Sequence, residues 1–289
     1  KYNYWCSNEN LDAKDREELL SIKNDEKEIK ERFLYDLEFG TGGLRGVIGV
    51  GTNRINKYIV RKTTQGFAEY IKSFGSEACK KGVVIAHDNR RFSISFCLET
   101  AGVLAANGIQ TYIFDSLRPT PELSFAVREL SAFGGVVITA SHNPPEYNGY
   151  KLYDERGCQL VGESNDRVIE EINKIEDPLS VISISQEEAG SLIKILDSSI
   201  DEIYYKRVME ISVTPDVKKD IKIVYSPQHG TGNIPVREVL SRLGYNLIPV
   251  LEQCDPDTEF SNTKNPNPET AEAYSLAFDY AKKYDADII

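Results

Sequence analysis

Ser141 and His142 stand side by side in the segment GGVVITASHNPPEYNGYKLY, residues 134–153, and Lys151 follows on the next apolar run. A hydroxyl on which a group can be parked, an imidazole and an amine are the parts of nucleophilic and general acid/base chemistry. Val136, Val137 and Ile138 form a β-branched run that suits a buried parallel strand. Pro144 and Pro145 fix φ and lack a backbone donor, and a residue before proline is turned away from the helical region, so neither helix nor ladder continues past Ser141. The hydroxyl and imidazole are therefore held on a stiff turn beyond a strand's carboxyl end, the edge at which open α/β sheets bind ligands. Lys151 returns toward that edge. Singly, each residue has a plainer reading, a turn serine bonded to nearby backbone and a solvated histidine. A hydrolase nucleophile elbow does not fit, because it needs glycines where Thr139 and Asn143 stand.

The elements that must position this turn are read from periodicity. Residues 9–38 carry spaced leucines, isoleucines and a phenylalanine among charges, predicting two amphipathic helices, the second capped by Asn24. The glycine-rich stretch FGTGGLRGVIGVGTNRIN, Phe39 to Asn56, matches neither the dinucleotide fingerprint nor a Walker loop. Arg45 within it reads as a surface ion pair when taken alone. A helix over 58–74, a strand over 83–86, a helix over 93–107 closed by Gly108, a strand over 109–114 and a helix opening at Pro121 precede the strand before Ser141. Such alternation implies right-handed βαβ crossovers and a mostly parallel sheet. A helix follows over 163–175, and 176–188 is an uninformative connection. After a helix over 197–211, strand, helix and strand recur at 221–225, 234–243 and 245–250. We therefore expect an α/β protein of two successive domains, 1–197 and 198–289, each with a mixed, mostly parallel sheet between helices.

With 289 residues, 40% hydrophobic and 27% charged, the chain reads as globular. A formal net charge of −11 argues against nucleic acid or an anionic membrane as partner. Five scattered cysteines with no Cys-x-x-Cys pair indicate neither a disulfide framework nor a zinc site, and a reducing cytoplasm is the simplest home. The first residue, Lys1, and the apolar ending at Ala286–Ile289 lead us to expect a piece of a longer protein, its second domain truncated. Asp255, Asp257 and Glu259 lack the glycine and terminal glutamate of an EF-hand and read as structural. His87 reads as structural, His229 in PQHGTG as a turn donor, and Arg91 equally as a phosphate contact or a solvated charge.

The segment TASHNPPEYNGYKLY closely resembles the phosphoserine loop of the α-D-phosphohexomutases, the phosphoglucomutase and phosphomannomutase enzymes. The resemblance implies that Ser141 carries the transferable phosphoryl group, that His142 is the neighbouring active-site histidine and that Lys151 is the general acid/base. Arg45, with Thr41 beside it, is similar to the family's N-terminal active-site arginine. Asp88 and Arg90 match a strand-end motif near the phosphoserine, which makes Arg90 a phosphate contact oriented by Asp88, and Asn143 falls in the same set. The family also implies Mg²⁺ on the phosphate of Ser141, held by an Asp-rich loop that would lie beyond Ile289, and a glucose 1,6-bisphosphate intermediate and activator. PQHGTG and the glycine-rich stretch look most like the phosphoglucomutase branch, implying glucose phosphates as small-molecule partners. Phosphomannomutase, phosphopentomutase and a catalytically silent scaffold with the same fold are the alternatives. Residues 1–289 alone are expected to fold without mutase turnover.

Overall fold

The computed structural model describes every residue except Pro215. Three short N-terminal helices, α1 (Tyr2–Ser7), α2 (Ala13–Ser21) and α3 (Glu26–Phe33), pack Trp5, Leu19 and Phe33 against Tyr58. The third is capped by Asp25, which accepts from the Glu28 amide, rather than by Asn24. The chain continues as β1 (Gly43–Val47), α4 (Lys57–Lys72), α5 (Ser76–Lys81), β2 (Val83–His87), α6 (Ser93–Ala106), β3 (Thr111–Phe114) and α7 (Thr120–Glu129). Then come β4 (Gly134–Ile138), β5 (Tyr147–Tyr153), α8 (Glu163–Asn173), α9 (Gln186–Ala189) and β6 (Ile193–Leu196).

These strands form one sheet in the order β1-β5-β4-β2-β3-β6. Four are parallel, β4-β2-β3-β6, while β5 runs antiparallel between β4 and β1. Every residue of β2 and β4 is buried, as their unbroken apolar runs require once both sheet faces are covered. One face packs Ile85, Ile138, Tyr150 and Leu152 on α4, α6 and α8; the other packs Val84, Ala86 and Val137 on α7. Asn56 caps α4 by accepting from the Tyr58 and Ile59 amides. Its amide nitrogen donates to the carbonyls of Gly49, Gly51 and Arg54, tying the glycine-rich stretch to a helix start.

The second lobe holds α10 (Ser198–Glu210), β7 (Lys222–Tyr225), α11 (Asn233–Arg242), β8 (Asn246–Pro249) and α12 (Ser275–Tyr284). β7 and β8 pair in parallel, Ile288 bridges to Ile223 on the other side, and Val224, Val250 and Ala277 form a small core. α10 packs against both α7 and α11 and so joins the lobes. There Arg118 donates to both carboxylate oxygens of Asp201 at 2.8 and 2.7 Å. Glu122, 0% exposed, lies against this pair with neither carboxyl oxygen accepting a hydrogen bond. Burial, then the adjacent Asp201 carboxyl, push its pKa up to about 8, with Arg118 opposing. At neutral pH Glu122 is therefore mostly a neutral acid.

Candidate active site

Beyond β4 the backbone turns sharply at Ser141, whose φ of 59° lies in the left-handed region, at a cost of about 1–3 kcal/mol for a residue with a side chain. The turn is closed locally: the Ser141 amide donates to Thr139 Oγ1 at 2.9 Å and the Asn143 amide to the Ala140 carbonyl at 3.1 Å. This conformation leaves both Ser141 and His142 exposed at the sheet edge.

Arg90 shapes the turn from beneath. Its Nη1 donates to the carbonyls of Pro144 and Tyr147 at 2.8 and 3.0 Å, and its Nη2 to those of Ser141 and Asn143 at 2.8 and 2.6 Å. The expectation that Arg90 contacts phosphate is corrected by this geometry. Its side chain is 0% exposed, and the fork that would grip a phosphate grips four backbone carbonyls. Asp88 orients it as expected: Oδ1 accepts from the Arg90 amide and the Ser93 hydroxyl, while Oδ2 lies 3.3 Å from Nε, an ion pair that is off the hydrogen-bond direction. Asp88 borders the cleft but its carboxylate serves Arg90, so it too is a support rather than a phosphate contact. Burial pulls the Arg90 pKa down, Asp88 opposes, and Arg45 adds to the lowering.

The solvent-accessible cations come from the antiparallel edge. In the β1–β5 ladder Arg45 stands opposite Gly149, and Gly43 opposite Lys151. Directly opposed residues share a face, so the two cations are diagonal neighbours, each facing a glycine. A Cβ on Gly43 would meet the Tyr150 carbonyl at 2.4 Å and Lys151 Cγ at 3.2 Å; one on Gly149 would meet the Thr139 carbonyl at 2.5 Å. Glycine at these positions therefore permits the close approach of strands on which the site depends. Lys151 also pairs with Val137 on β4, which sets it on the α7 face of the sheet. Burial, then the charge of Arg45, lower the Lys151 pKa from the ordinary lysine value. Arg45 Nη1 donates to Asn143 Oδ1 at 2.7 Å, joining the glycine-rich strand to the Ser141 turn.

Ser141, His142 and Lys151 line a cleft of about 400 Å³ whose far wall is Pro227, Gln228, Gly230, Thr231 and Phe260 of the second lobe. Thr41 is exposed, its carbonyl accepts from Gln159 Nε2, and it lies outside that lining. His229, 2% exposed, is a support. Its Nδ1 bonds the Asp255 carbonyl at 2.7 Å and its Nε2 accepts weakly from the Asn262 amide at 3.4 Å. Arg91 is neither a phosphate contact nor a free charge, because Nε and Nη2 both donate to Glu259 of the second lobe. Asp257 is structural: hydrogen bonds from the Ser261 hydroxyl, then from the Glu259 and Ser261 amides, hold its carboxyl pKa down at about 2.

Among the described residues no three His, Cys, Asp or Glu side chains gather to hold a metal ion. The residues present therefore do not make a Mg²⁺ site by themselves. Two residues escaped the sequence reading. Thr139 receives the Ser141 amide, a contact announced only by a hydroxyl two residues before the serine. Asn148, fully buried, donates to the Arg91 carbonyl and Ser93 Oγ and accepts from the Gly149 amide, fastening β5 to the turn after β2. A polar side chain inside an apolar strand was its signal.

The phosphoglucomutase/phosphomannomutase alpha/beta/alpha domain I model matches residues 36–178, and the domain II model of that family matches 202–289. A phosphoglucomutase of Staphylococcus epidermidis is 40% identical over 266 residues, covering 91% of this chain and 48% of the relative. One of Staphylococcus aureus is 38% identical over 265 residues, covering 91% and 47%. Among solved structures, a putative phosphomannomutase from Thermus thermophilus matches with a TM-score of 0.70 at 25% identity, covering 85% of this chain and 52% of that one. The chain thus spans about half the length of the curated relatives it matches. Domain I with the Ser141 turn, followed by domain II across the cleft, identifies this chain as a member of the phosphoglucomutase/phosphomannomutase family.

Proposed function

We propose that this chain is the phosphoserine half of a phosphoglucomutase that interconverts glucose 1-phosphate and glucose 6-phosphate. The observation that carries the reading is the exposed Ser141 on a turn fixed from below, with the half-buried Lys151 in the same cleft. In the proposed reaction the bond between phosphorus and Ser141 Oγ breaks as a sugar hydroxyl oxygen bonds to phosphorus. Lys151 takes the hydroxyl proton, for which its lowered pKa suits it, and the departing Ser141 oxygen takes up a proton from solvent in the cleft to become the free hydroxyl. The glucose 1,6-bisphosphate so formed turns over and returns its other phosphoryl group to Ser141.

A phosphoserine of about −1.5 to −2 charge repels an anionic sugar phosphate, so cations must stand near both. Lys151 and His142 line the cleft, and Arg45, exposed and diagonal to Lys151 on the same sheet face, stands outside that lining. Mg²⁺ is proposed as the reaction's Lewis acid with the Ser141 phosphate as one ligand. The described residues do not complete its site. A mannose phosphate is the second reading, favoured by the likeness to the Thermus protein. We place the protein in the cytoplasm; no helix among the described residues is long and apolar enough to cross a membrane.

The test is mass spectrometry and assay of the full-length protein. Phosphate on the Ser141 peptide, bisphosphate-stimulated glucose phosphate conversion, and loss of both in Ser141→Ala are expected. Turnover retained in Ser141→Ala removes the carrier role, and neither phosphate nor turnover in the wild type leaves a silent scaffold. Higher kcat/KM on mannose phosphates reassigns the substrate.

A further inference from the structure

The second lobe touches three consecutive residues of the turn after β2, and each contact comes from one short loop. Asn89 Nδ2 donates to the Asp257 carbonyl at 2.8 Å, Arg91 pairs with Glu259, and between them the Phe260 ring lies 5.3 Å from the Arg90 guanidinium carbon. Phe260 borders the cleft while only 7% exposed, and Arg90 has no part in the lining, so the ring is a wall between the guanidinium and the cleft. Its backbone has a φ of 53°, an uncommon conformation for a bulky side chain. Asp257 folds the turn that imposes it by accepting from the Glu259 and Ser261 amides at 2.9 and 2.8 Å. Strain of this kind persists where the surrounding structure over-determines a side chain's place.

We propose that Phe260 is a positioning residue for Ser141, acting from the second lobe through Arg90. This rests on the reading of Ser141 as phosphoryl carrier. Among the described residues Arg90 is the one side chain that holds the carbonyls of Ser141, Asn143, Pro144 and Tyr147 together. Hydrogen bonds to a charged donor strengthen when water is excluded, and a ring face over the guanidinium excludes water while attracting the cation. Removing the ring admits water to Arg90, loosens the four bonds and lets the Ser141 turn sample other shapes. Phe260 touches no atom that reacts in this scheme, so its loss acts on the rate of transfer more than on sugar binding.

The experiment compares wild type, Phe260→Ala, Phe260→Leu and Phe260→Tyr in the full-length protein by amide hydrogen exchange and by steady-state kinetics. In Phe260→Ala the amides of Ser141, Asn143 and Tyr147 should exchange about tenfold faster, while β2 and β4 are unchanged. With glucose 1-phosphate, kcat should fall about ten- to hundredfold and KM stay within about twofold. Phe260→Leu should change both readouts in the same sense but less, and Phe260→Tyr should restore them. Turn exchange at the wild-type rate, or a rise in KM at unchanged kcat, overturns the proposal. If Phe260→Ala fails to fold, Phe260→Leu decides: wild-type exchange and kcat in that variant also overturn it. Exchange does not depend on catalysis, so wild-type protein with a protected turn but no transfer defeats the proposed function instead.

Discussion

Two turns face each other across the cleft, 141–147 in the first lobe and 227–232 in the second, and they are held by different means. The first sits at the edge of a six-stranded sheet buried on both faces, with one guanidinium gathering its carbonyls. The second follows a two-stranded pair over a core of Val224, Val250 and Ala277, and is tied by His229 to Asp255 and Asn262, with the Ser226 hydroxyl on Gln253. A wide sheet fixes where a turn begins and ends, so one internal donor set suffices to shape it. Without that sheet the shape depends on side chains linking one loop to another. The first turn thus takes its ends from its strands and its shape from the Arg90 guanidinium, and the second takes its shape from mutual support with residues 253–262.

The sharpest way to break this contrast is Arg90→Ala. It leaves four carbonyls without their donors and Asp88 without its cation, so denaturant unfolding should show a loss of about 3–5 kcal/mol. A loss under about 1 kcal/mol would mean that the sheet alone holds the turn. His229→Ala should cost less, about 1–3 kcal/mol, with amide exchange rising in 226–232 and 253–262 but not in β2 or β4. Equal acceleration in both lobes would erase the distinction.

Glu122→Gln examines the junction between the lobes. The folded pKa of about 8 is above the ordinary 4.5, so as pH rises the unfolded chain releases this proton first. Stability therefore falls from about pH 4.5 to 8 on this group's account, by at most about 1.4 kcal/mol per pH unit, and the loss is complete above 8. Glutamine should flatten that decline in melts taken across the window; an unchanged slope would show that Glu122 is ionised in the fold. The smallest effect is expected from Arg45→Ala. Removing the neighbouring charge should raise the Lys151 titration toward the ordinary lysine value, followed by the NMR shift of its Cε, with stability changed by under about 0.5 kcal/mol. No movement would leave burial as the sole cause.

The first lobe was legible because its inner strands are buried on both faces and so spell unbroken apolar runs, and because Gly108 stops α6 in the left-handed conformation, as Gly244 does after α11 of the second lobe. The edges were not. β6, whose Lys194 and Ile195 are exposed, has no run to betray it, and α5 is too short to show a period. The two helices expected over residues 9–38 are α2 and α3, whereas α1 before them went unread, since Tyr2–Ser7 is a single turn and a half anchored mainly by Trp5. At the site, the serine, histidine and lysine announced themselves by composition and turn chemistry. The direction in which an arginine points did not: Arg90 and Arg91 are adjacent in sequence, yet one faces inward to carbonyls and the other across to Glu259. That choice is made by partners remote in the chain, which local pattern cannot report. Phe260 was hidden for the same reason.

The Arg90 clamp joins residues 51 to 57 apart, and the bonds of Asn89 and Arg91 to the second lobe reach 168 positions along the chain. Closing loops of that length is slow relative to forming helices or pairing neighbouring strands. The serine should therefore acquire its final pose among the last events on the route from unfolded chain to native protein, after the sheet exists and once the second lobe has docked. A nascent chain halted before residue 257 would hold the sheet and the Arg90 bonds to the turn, but not the second-lobe contacts to Asn89, Arg90 and Arg91.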